Sequence, residues 1–529
     1  MDSNTFRSAA YAAVDEIIDY FDTIQERPVA SKVEPGYLKK LLPDGPPDAG
    51  EDWSSIQKDV EAKIMPGLMH WQSPDFMAFF PTASTYPAIL GELYSAALSA
   101  PGFNWQCSPA MTELEVIVMN WMAKLLHLPE SFQSHTRGGG VIQGSASEAT
   151  TTVMVAAREN YVNRACEGLN GPERDAKSAE VRGRLVALGS DQSHSSVAKA
   201  AIIAGVRYKS IPTTSENNFS VTGSAFQKAL EECRKDGLEP FHITTTLGTT
   251  PTCAVDDIEA IATINGSAKN FPPLWIHIDA AWAGAALILE EYAHLTKHFE
   301  HVESFSMNMH KWLLVNFDCS PLFLRDRRNL TDVLSLTPSY VRNHYSDSGL
   351  VTDYRDWQIP FGRRFRSLKV WFVLRTYGVN GMKEYLRHHL ELGSKFAGWI
   401  KSRPDLFKIV TPSAFALTVF TIVSRPVPTQ AEFTELQSNI EIGAADASEL
   451  DELDRKANGQ ESDKANGLTR EVYEKINASG KLFLTSTMIH DVFAIRVVSA
   501  NTNANEESLR SAFELIVSIT EDVLKPCES

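Results

Sequence analysis

The amino-acid sequence predicts an α/β protein with a largely parallel sheet covered by helices on both faces, followed by a smaller α+β part. Between residues 108 and 287, helical stretches alternate with short runs rich in β-branched residues, which is typical of consecutive βαβ units. With 529 residues, the chain is long enough to bury a large core and to form two or three domains.

The predicted elements follow this pattern in chain order. We expect a mainly helical region over the first part of the chain, interrupted where Pro28, Pro35 and Pro43 occur. Further along, the periodicity predicts helices at 111–126, 194–204, 368–401 and 507–524, and strands at 184–188, 241–246, 274–279, 415–423 and 493–498. These elements divide the chain into an N-terminal helical segment (1–85), a large α/β domain (86–380) and a small α+β domain (381–529).

Composition argues against several classes of partner. The formal net charge is −16, whereas nucleic acids and anionic membranes need basic protein surfaces. We expect no signal peptide and no membrane span, since no window approaches the ~18 uncharged apolar residues that a span needs. The six cysteines lack CxxC spacing, which favours reduced thiols in a cytoplasmic protein over a disulfide framework or a zinc site.

An acidic segment interrupts the small domain. Residues 441–463 carry eight acidic and two basic side chains and no aromatic residue, so we interpret the region around 430–467 as a mobile surface insertion. A calcium loop is the alternative interpretation, but the D-x-[DN]-x-[DN]-G spacing is missing. The sequence therefore predicts no metal site.

A glycine-rich segment, GGGVIQGSASEA at 138–149, precedes an apolar helical run. Glycines followed by small hydroxyl residues at the start of a helix expose backbone N–H groups to an anion such as a phosphate. The segment is not a Walker loop, because the Gly-Lys-Ser/Thr ending is absent. The alternative is a flexible linker whose following helix is capped by Ser145 or Ser147.

Three polar side chains come at or just after predicted strands, where parallel sheets usually bind ligands. His194 and Thr249 each follow a strand, and Asp279 ends one. An unpaired carboxylate at a buried strand end would be costly, and a pyridinium N–H would be a suitable partner for it. The alternatives are an ordinary turn histidine and an aspartate that caps the next helix.

The segment Asn308-Met309-His310-Lys311 is followed by aliphatic residues. Burying an ammonium group is costly unless the group is neutralised or reacts, and a covalent bond to an aldehyde removes that cost. Taken alone, this motif is also typical of a solvated loop. Behind the glycine-rich segment, His194 and Asp279, it matches the order of groups that a pyridoxal phosphate site requires.

These segments resemble the group II pyridoxal-phosphate-dependent amino acid decarboxylases, most closely the aromatic-L-amino-acid decarboxylases. The similarity runs from residue 33 to the C-terminus outside the acidic insertion, and includes 140–150, 310–320 (HKWLLVNFDCS) and 347–368. It implies the aspartate-aminotransferase type of fold (fold type I), with a mostly parallel seven-stranded sheet in the large domain, which binds pyridoxal 5′-phosphate. It also implies a homodimer with active sites at the subunit interface, to which the N-terminal segment contributes.

The resemblance implies a role for each candidate residue. Lys311 is the covalent anchor of the cofactor, and Asp279 pairs with its ring nitrogen. His194 stacks on one face of the ring and Ala281 lies against the other, while Thr249 contacts the ring oxygen or the aspartate. The residues implied to hold the phosphate group are Ala146, Ser147, Asn308 and His310, with Ser304 as a further candidate.

Tyr340, in Thr-Pro-Ser-Tyr-Val at 337–341, matches the family's mobile catalytic loop and is implied to protonate the substrate Cα after CO₂ leaves. Related enzymes that release an aldehyde usually carry Phe at this position or lack the histidine at the position of His194. Both residues are kept here, which favours decarboxylation over aldehyde synthase activity, the alternative. A copy that serves only as a scaffold should have lost Lys311, Asp279 or His194.

The implied substrate is an aromatic L-amino acid. Phe79 stands where animal relatives often have Tyr, and Met309 replaces a common Pro. Ala416 is small and lacks a hydrogen-bond donor, at a position where Ser favours phenols or imidazole, so we place L-tryptophan and 5-hydroxytryptophan ahead of DOPA, tyrosine and phenylalanine. The residues implied to contact the substrate are Trp71, Phe79, Phe80, Pro81, Thr82, Phe103, His194 and Ala416.

Overall fold

The computed structural model describes residues 1–267, 272–336, 344–347, 351–424 and 447–525. Its α-helices are α1 (Ser3–Asp22), α2 (Tyr37–Leu41), α3 (Trp53–Asp59), α4 (Tyr86–Leu98), α5 (Pro109–Leu125), α6 (Ala146–Ala165), α7 (Gly171–Arg182), α8 (Ser196–Ala204), α9 (Gly223–Lys235), α10 (Ile258–Ser267), α11 (Met309–Trp312), α12 (Arg328–Leu334), α13 (His344–Asp347), α14 (Arg366–Lys401), α15 (Ala447–Ser479) and α16 (Glu506–Leu524). The strands are β1 (Gly139–Gln143), β2 (Leu185–Ser190), β3 (Arg207–Ile211), β4 (Glu239–Thr246), β5 (Trp275–Asp279), β6 (Ser304–Ser306), β7 (Ser320–Leu324), β8 (Phe407–Ile409), β9 (Leu417–Ile422), β10 (Thr485–Ile489) and β11 (Val492–Val498).

Two compact units share these elements. One comprises Met1–Pro81, Glu391–Pro412 and Ala416–Ser529, and the other comprises Thr82–Leu390 and Ser413–Phe415. The N-terminal segment thus belongs to the same unit as the C-terminal part of the chain. Among the residues that the structure describes, none of the helices combines the length and the apolar character that a membrane span requires.

The larger unit contains a seven-stranded sheet in the order β1-β7-β6-β5-β4-β2-β3. Strands β6, β5, β4, β2 and β3 pair in parallel, whereas β7 is antiparallel to both β1 and β6. Every residue of β5 is buried, as expected for a strand covered by helices on both faces. The prediction of a mostly parallel seven-stranded sheet is confirmed.

Helices α6 and α8 cover one side of this sheet with a core built largely from small residues. Ala149, Val153 and Ala156 of α6 and Ala200 of α8 are fully buried in one hydrophobic cluster. Alanine side chains let helices and strands approach closely while losing little side-chain entropy on folding. This packing fixes the start of α6, which is one end of the candidate site.

Strand β1 was not anticipated, because its sequence begins with glycines, which weaken strands. The structure shows why glycine is needed. A Cβ atom at Gly140 would lie 2.4 Å from Met119 Cε and 2.9 Å from Phe323 Cδ1, so the strand backbone itself packs against α5 and β7.

The smaller unit contains a four-stranded antiparallel sheet in the order β10-β11-β9-β8. Its core includes Phe396, Phe420, Ile495 and Ile516, all fully buried. The N-terminal segment adds a bridge between Phe76 and Phe483. The predicted small α+β part is therefore present.

Two elements differ from the predicted ones. The long helix predicted at 368–401 is broken at Gly378, whose φ of 63° and ψ of 176° are not helical. The acidic region lies partly outside the described residues, and from Ala447 onward it is helical as part of α15, in keeping with the helix-forming Ala, Glu, Leu and Lys of that stretch. Whether the insertion is mobile stays a prediction.

Candidate active site

The candidate residues converge on one edge of the seven-stranded sheet. Strands β2, β4, β5 and β6 run in parallel, and β1 runs the same way because both it and β6 pair antiparallel with β7. The carboxyl ends of these strands therefore share an edge, where open α/β sheets bind ligands. The candidates that follow these strand ends within five residues are Ala146, Ser147, His194, Thr249, Ala281, Asn308, His310 and Lys311.

The start of α6 lies at this edge, directly after β1. Ser145 Oγ accepts a hydrogen bond from the backbone N–H of Glu148 at 3.1 Å, and Glu148 Oε2 accepts one from the N–H of Gly144 at 3.0 Å. This reciprocal cap leaves Ala146 and Ser147 in the first helical turn, where backbone N–H groups have no carbonyl partner within the helix. The linker interpretation is wrong, because β1 and α6 occupy most of this segment, although Ser145 does cap the helix. The first-turn amides suit a phosphate, and that contact stays a prediction.

Asp279 ends β5 in the centre of the sheet. It lies in register with Thr246 of β4 and Ser306 of β6, and only 4% of its surface is exposed. Its Oδ1 accepts a hydrogen bond from the N–H of Ala281 at 3.0 Å. A carboxylate held here by a local backbone bond is directed to the end of the sheet, where a cationic ring nitrogen would balance its charge.

A neutral histidine, His277, lies two residues before Asp279 in β5. His277 is fully buried, with Nδ1 2.8 Å from Ser304 Oγ and Nε2 3.3 Å from Ser306 Oγ. Burial lowers the pKa of His277 to about 4, although the Asp279 carboxylate opposes that shift. Ser304 thus contacts a side chain within the sheet, and its role as a phosphate contact stays a prediction.

The charges of Asp279 and Lys311 both affect the pKa of His194. Burial lowers its pKa, the Asp279 carboxylate raises it, and the Lys311 ammonium lowers it, so the three groups are electrostatic neighbours. Nδ1 of His194 accepts the backbone N–H of Ser196 at 3.2 Å and lies 2.8 Å from its Oγ. An accepting Nδ1 places the proton of the neutral ring on Nε2.

Lys311 projects from the short helix α11 and is half-buried. The next residue, Trp312, is fully buried and stacks on Trp282, with ring centroids 4.5 Å apart and planes 4° apart. Trp312 Nε1 donates to His389 Nδ1 at 3.0 Å. The backbone of the lysine is therefore held by a rigid aromatic pair.

Two polar residues that precede the lysine, Asn308 and His310, are buried and hydrogen-bonded. Asn308 Oδ1 accepts the hydroxyl of Ser320 at 2.7 Å, and His310 Nδ1 lies 3.0 Å from the backbone oxygen and 2.9 Å from the backbone nitrogen of Cys319. Burial, followed by the charge of Lys311, lowers the pKa of His310 to about 4. His310 is therefore a neutral side chain at neutral pH.

Thr249 lies in a tight loop after β4. It is fully buried, and its Oγ1 lies 2.9 Å from Thr252 Oγ1 and accepts the N–H of Ala254 at 3.1 Å. Gly248 has φ +87°, and a Cβ there would lie 2.5 Å from Ala283 Cβ. The loop therefore needs glycine beside Thr249, whose contact with the cofactor stays a prediction.

The substrate candidates fall into different parts of the chain. Trp71 and Phe79 stack at 5.5 Å within the smaller unit, where Ala416 is buried. Phe80 and Pro81 are also buried there, while Thr82 belongs to the larger unit. In that unit, Phe103 packs on Phe361 at 4.7 Å. Tyr340 lies outside the described residues.

Sequence reasoning missed the groups that support the lysine and the aspartate. Trp282 directly follows Ala281, and Trp312 directly follows Lys311. Because a buried tryptophan needs a partner for its N–H, the sequence could have indicated these two as supporting residues. His277 sits two residues before Asp279 and points into the same strand core. No sequence signal identified Ser306 or His389 as partners, because both contacts join distant segments.

The residues present fit pyridoxal 5′-phosphate. First-turn amides of α6 suit its phosphate, the buried carboxylate of Asp279 suits its ring nitrogen, and the amine of Lys311 suits its aldehyde. The electrostatic proximity of His194 to both Asp279 and Lys311 is the observation that joins the ring end of the site to the covalent end.

Comparison with known proteins identifies close relatives. A family model described as the pyridoxal-dependent decarboxylase conserved domain matches residues 35–423. The chain is 41% identical to phenylacetaldehyde synthase of Arabidopsis thaliana, over 98% of this chain and 96% of the relative. It is 39% identical to aromatic-L-amino-acid decarboxylase of Rattus norvegicus, over 99% of each chain. The crystal structure of Oryza sativa TDC with PLP and tryptamine matches with a TM-score of 0.87 and 35% identity, over 99% of each chain.

Proposed function

This chain belongs to the pyridoxal-dependent decarboxylases, within the aromatic-L-amino-acid decarboxylase family, and from that membership we propose that it converts L-tryptophan and 5-hydroxytryptophan to tryptamines and CO₂. It is a carboxy-lyase, and its cofactor is pyridoxal 5′-phosphate. The observation that carries the proposed chemistry is the electrostatic neighbourhood of His194, Asp279 and Lys311 at one sheet edge.

Each residue of the candidate site has a separate proposed role. When bound, pyridoxal phosphate supplies a conjugated ring that withdraws the electrons of the breaking Cα–carboxylate bond. Asp279 would hold that ring by its nitrogen, and Lys311 would hold it covalently. The amides of Ala146 and Ser147 would bind the phosphate.

Three side chains are proposed to orient the substrate and move its proton. His194, with its proton on Nε2, has a donor to offer the substrate carboxylate, and Thr82 would be a second contact to it. Tyr340 would deliver a proton to Cα, as the family resemblance implies. Neutral His310 beside Lys311 adds no second positive charge near the amine.

The proposed preference for indoles rests on Ala416. This residue is 3% exposed, and its side chain offers no donor for a phenol. Tryptamine is bound in the structure of the rice relative, which supports an indole substrate class here. Tyrosine, DOPA and phenylalanine follow as weaker substrates.

A panel of tryptophan, 5-hydroxytryptophan, DOPA, tyrosine and phenylalanine tests the proposal by kcat/KM. We expect the two indoles to lead, and Ala416→Ser to shift the tryptophan-to-tyrosine ratio about tenfold toward tyrosine. Ala512→Ser adds the same hydroxyl to another buried alanine and should leave the ratio unchanged. A wild-type preference for tyrosine or DOPA of about tenfold would overturn the proposed order.

Aldehyde synthase activity is the alternative, favoured by the 41% identity with phenylacetaldehyde synthase. The same incubations distinguish the two reactions. Decarboxylation yields amine and CO₂ without consuming O₂, whereas oxidative decarboxylation-deamination consumes O₂ and water and yields aldehyde, CO₂, ammonia and hydrogen peroxide. Aldehyde as the main product of the wild-type enzyme would favour the alternative.

We also propose that the protein is a homodimer. Helix α1 has no buried residue, and it exposes Phe6, Tyr11, Val14 and Ile18, an apolar set that a second copy of the chain would cover. Analytical ultracentrifugation should show a dimer that Val14→Asp weakens and Ser8→Asp, on the same helix, does not. A monomeric wild-type protein with full activity would contradict this.

A further inference from the structure

Three side chains that could hold a metal ion cluster near the seven-stranded sheet of the larger unit. They lie at the edge opposite to the candidate active site. His298, Glu300 and His301 each offer a ligand atom, and these atoms lie within 4.8 Å of one another. They come just before β6, whereas Lys311 follows that strand. None of the three has a role in the proposed reaction.

The backbone of this cluster is fixed. Phe299, which lies between the two histidines in the sequence, is fully buried. Its ring centroid lies 5.8 Å from that of Phe305 in β6. The N–H of His301 donates to the backbone oxygen of His298 at 3.0 Å. The two imidazole rings consequently lie side by side, with centroids 6.4 Å apart and planes 21° apart.

A second carboxylate, outside this group of three, contacts His298 from a different element. Glu259, in the first turn of α10, places Oε1 3.3 Å from His298 Nε2. Glu300 Oε1 lies 3.7 Å from His301 Nε2. Each histidine is therefore paired with a carboxylate, and the four side chains come from two separate segments.

A neighbouring cation, Arg325, is already balanced. Arg325 donates to the backbone oxygen of Glu300 at 2.8 Å, and its guanidinium also pairs with Glu303 at 2.6 Å. Its charge is therefore directed to Glu303 and away from the carboxylate of Glu300. The four side chains keep two carboxylates to neutralise a divalent ion.

We propose that His298, His301, Glu300 and Glu259 bind one divalent transition-metal ion of the zinc class. Two imidazoles and two carboxylates suit zinc, whereas calcium and magnesium prefer all-oxygen sites. Ligand atoms around tetrahedral zinc lie about 3.3 Å apart, so the three clustered side chains would rotate closer together and Glu259 would turn toward them on binding the ion. The ion would join the first turn of α10 to the turn that enters β6.

Isothermal titration of zinc chloride into the cofactor-loaded enzyme tests the proposal. We expect one zinc per chain, and binding at least about tenfold weaker in His301→Ala. Glu259→Gln should weaken binding less. His294→Ala removes an exposed histidine from the preceding turn and serves as the matched control with wild-type affinity.

Thermal unfolding gives a second measurement. Zinc should raise the Tm of the wild type and of His294→Ala, but not that of His301→Ala. Circular dichroism and unchanged decarboxylase activity establish that His301→Ala is folded. Equal zinc affinity in the wild type and His301→Ala, or no uptake by the wild type, would overturn the proposal.

Discussion

At the scale of single residues, the charges close to Lys311 define the chemistry that this site can perform. Burial lowers the pKa of His194, an effect that Asp279 opposes and Lys311 reinforces, and burial keeps His310 neutral. Two opposite charges, those of Asp279 and Lys311, therefore act on His194. This pair of charges suits a site that must hold a ring nitrogen at one end and an amine at the other.

Lys311→Ala should abolish covalent cofactor binding and lower kcat by about 10²–10⁴-fold, because both the anchor and a proton-carrying amine are lost. Absorbance of the bound cofactor and kcat for tryptophan measure the two effects. Lys199→Ala, at an exposed lysine of α8, is the control and should match the wild type. Retention of the bound-cofactor band in Lys311→Ala would show that another residue is the anchor.

The candidate residues at strand ends could be predicted from the sequence, because strand-end polar groups in parallel sheets have a known location. His194, Thr249 and Asp279 all lie where the pattern placed them. The contacts that support them could not be predicted, since Trp312 with His389 joins segments far apart in sequence. Such pairings depend on tertiary packing, which local periodicity does not encode.

At the scale of elements, strand β1 shows how packing overrides propensity. Two glycines open a strand that local preferences disfavour, because the neighbouring α5 and β7 leave no room for a side chain at Gly140. The opposite happens in α14, where Gly378 adopts a φ of 63° and breaks a pattern that predicted one continuous helix. In both cases the glycine was visible in the sequence but its structural effect was not.

Gly140→Ala should destabilise the protein by about 1–3 kcal/mol, because the new methyl group would overlap Met119 and Phe323. Chemical denaturation, read as the free energy of unfolding, measures this loss. Gly398→Ala is the matched control: nothing lies within 4 Å of its added Cβ, and alanine favours the helix by up to about 1 kcal/mol. Equal stability of the two variants would contradict the packing argument.

For the whole molecule, buried titratable groups set the response to acid. Burial lowers the pKa of His277 and His310 to about 4 and that of His242 well below its usual value. In the unfolded chain these imidazoles take up protons near pH 6.5, so the unfolded state binds more protons and stability falls as pH drops below that value. Asp256 acts in the opposite direction, because burial raises its pKa to about 7.

We therefore expect the free energy of unfolding to decrease between pH 6.5 and pH 5, by up to about 2 kcal/mol per buried histidine. Asp256→Asn removes the opposing titration. It also costs one hydrogen bond at every pH, because the two carboxylate oxygens accept the N–H groups of Val221 and Thr246 separately, at 2.7 Å each, and asparagine keeps only one of these acceptors. Its stability should fall more steeply over this interval than that of the wild type. A wild-type stability that is constant from pH 6.5 to pH 5, with the same result for Asp256→Asn, would contradict the assignment.

Strand β7, which runs opposite to its two neighbours in the seven-stranded sheet, has a consequence for biosynthesis. It pairs with β1 at Gln143 and Ser320 and with β6 at Ser306 and Leu322, so the strand before α6 and the strand before the lysine segment are joined only after β7 has been made. A nascent chain released or stalled before this strand would carry all the strand-end residues of the site without the connection between its two ends. Because such long-range pairing is slow, cofactor capture should be among the last events in the maturation of each new chain.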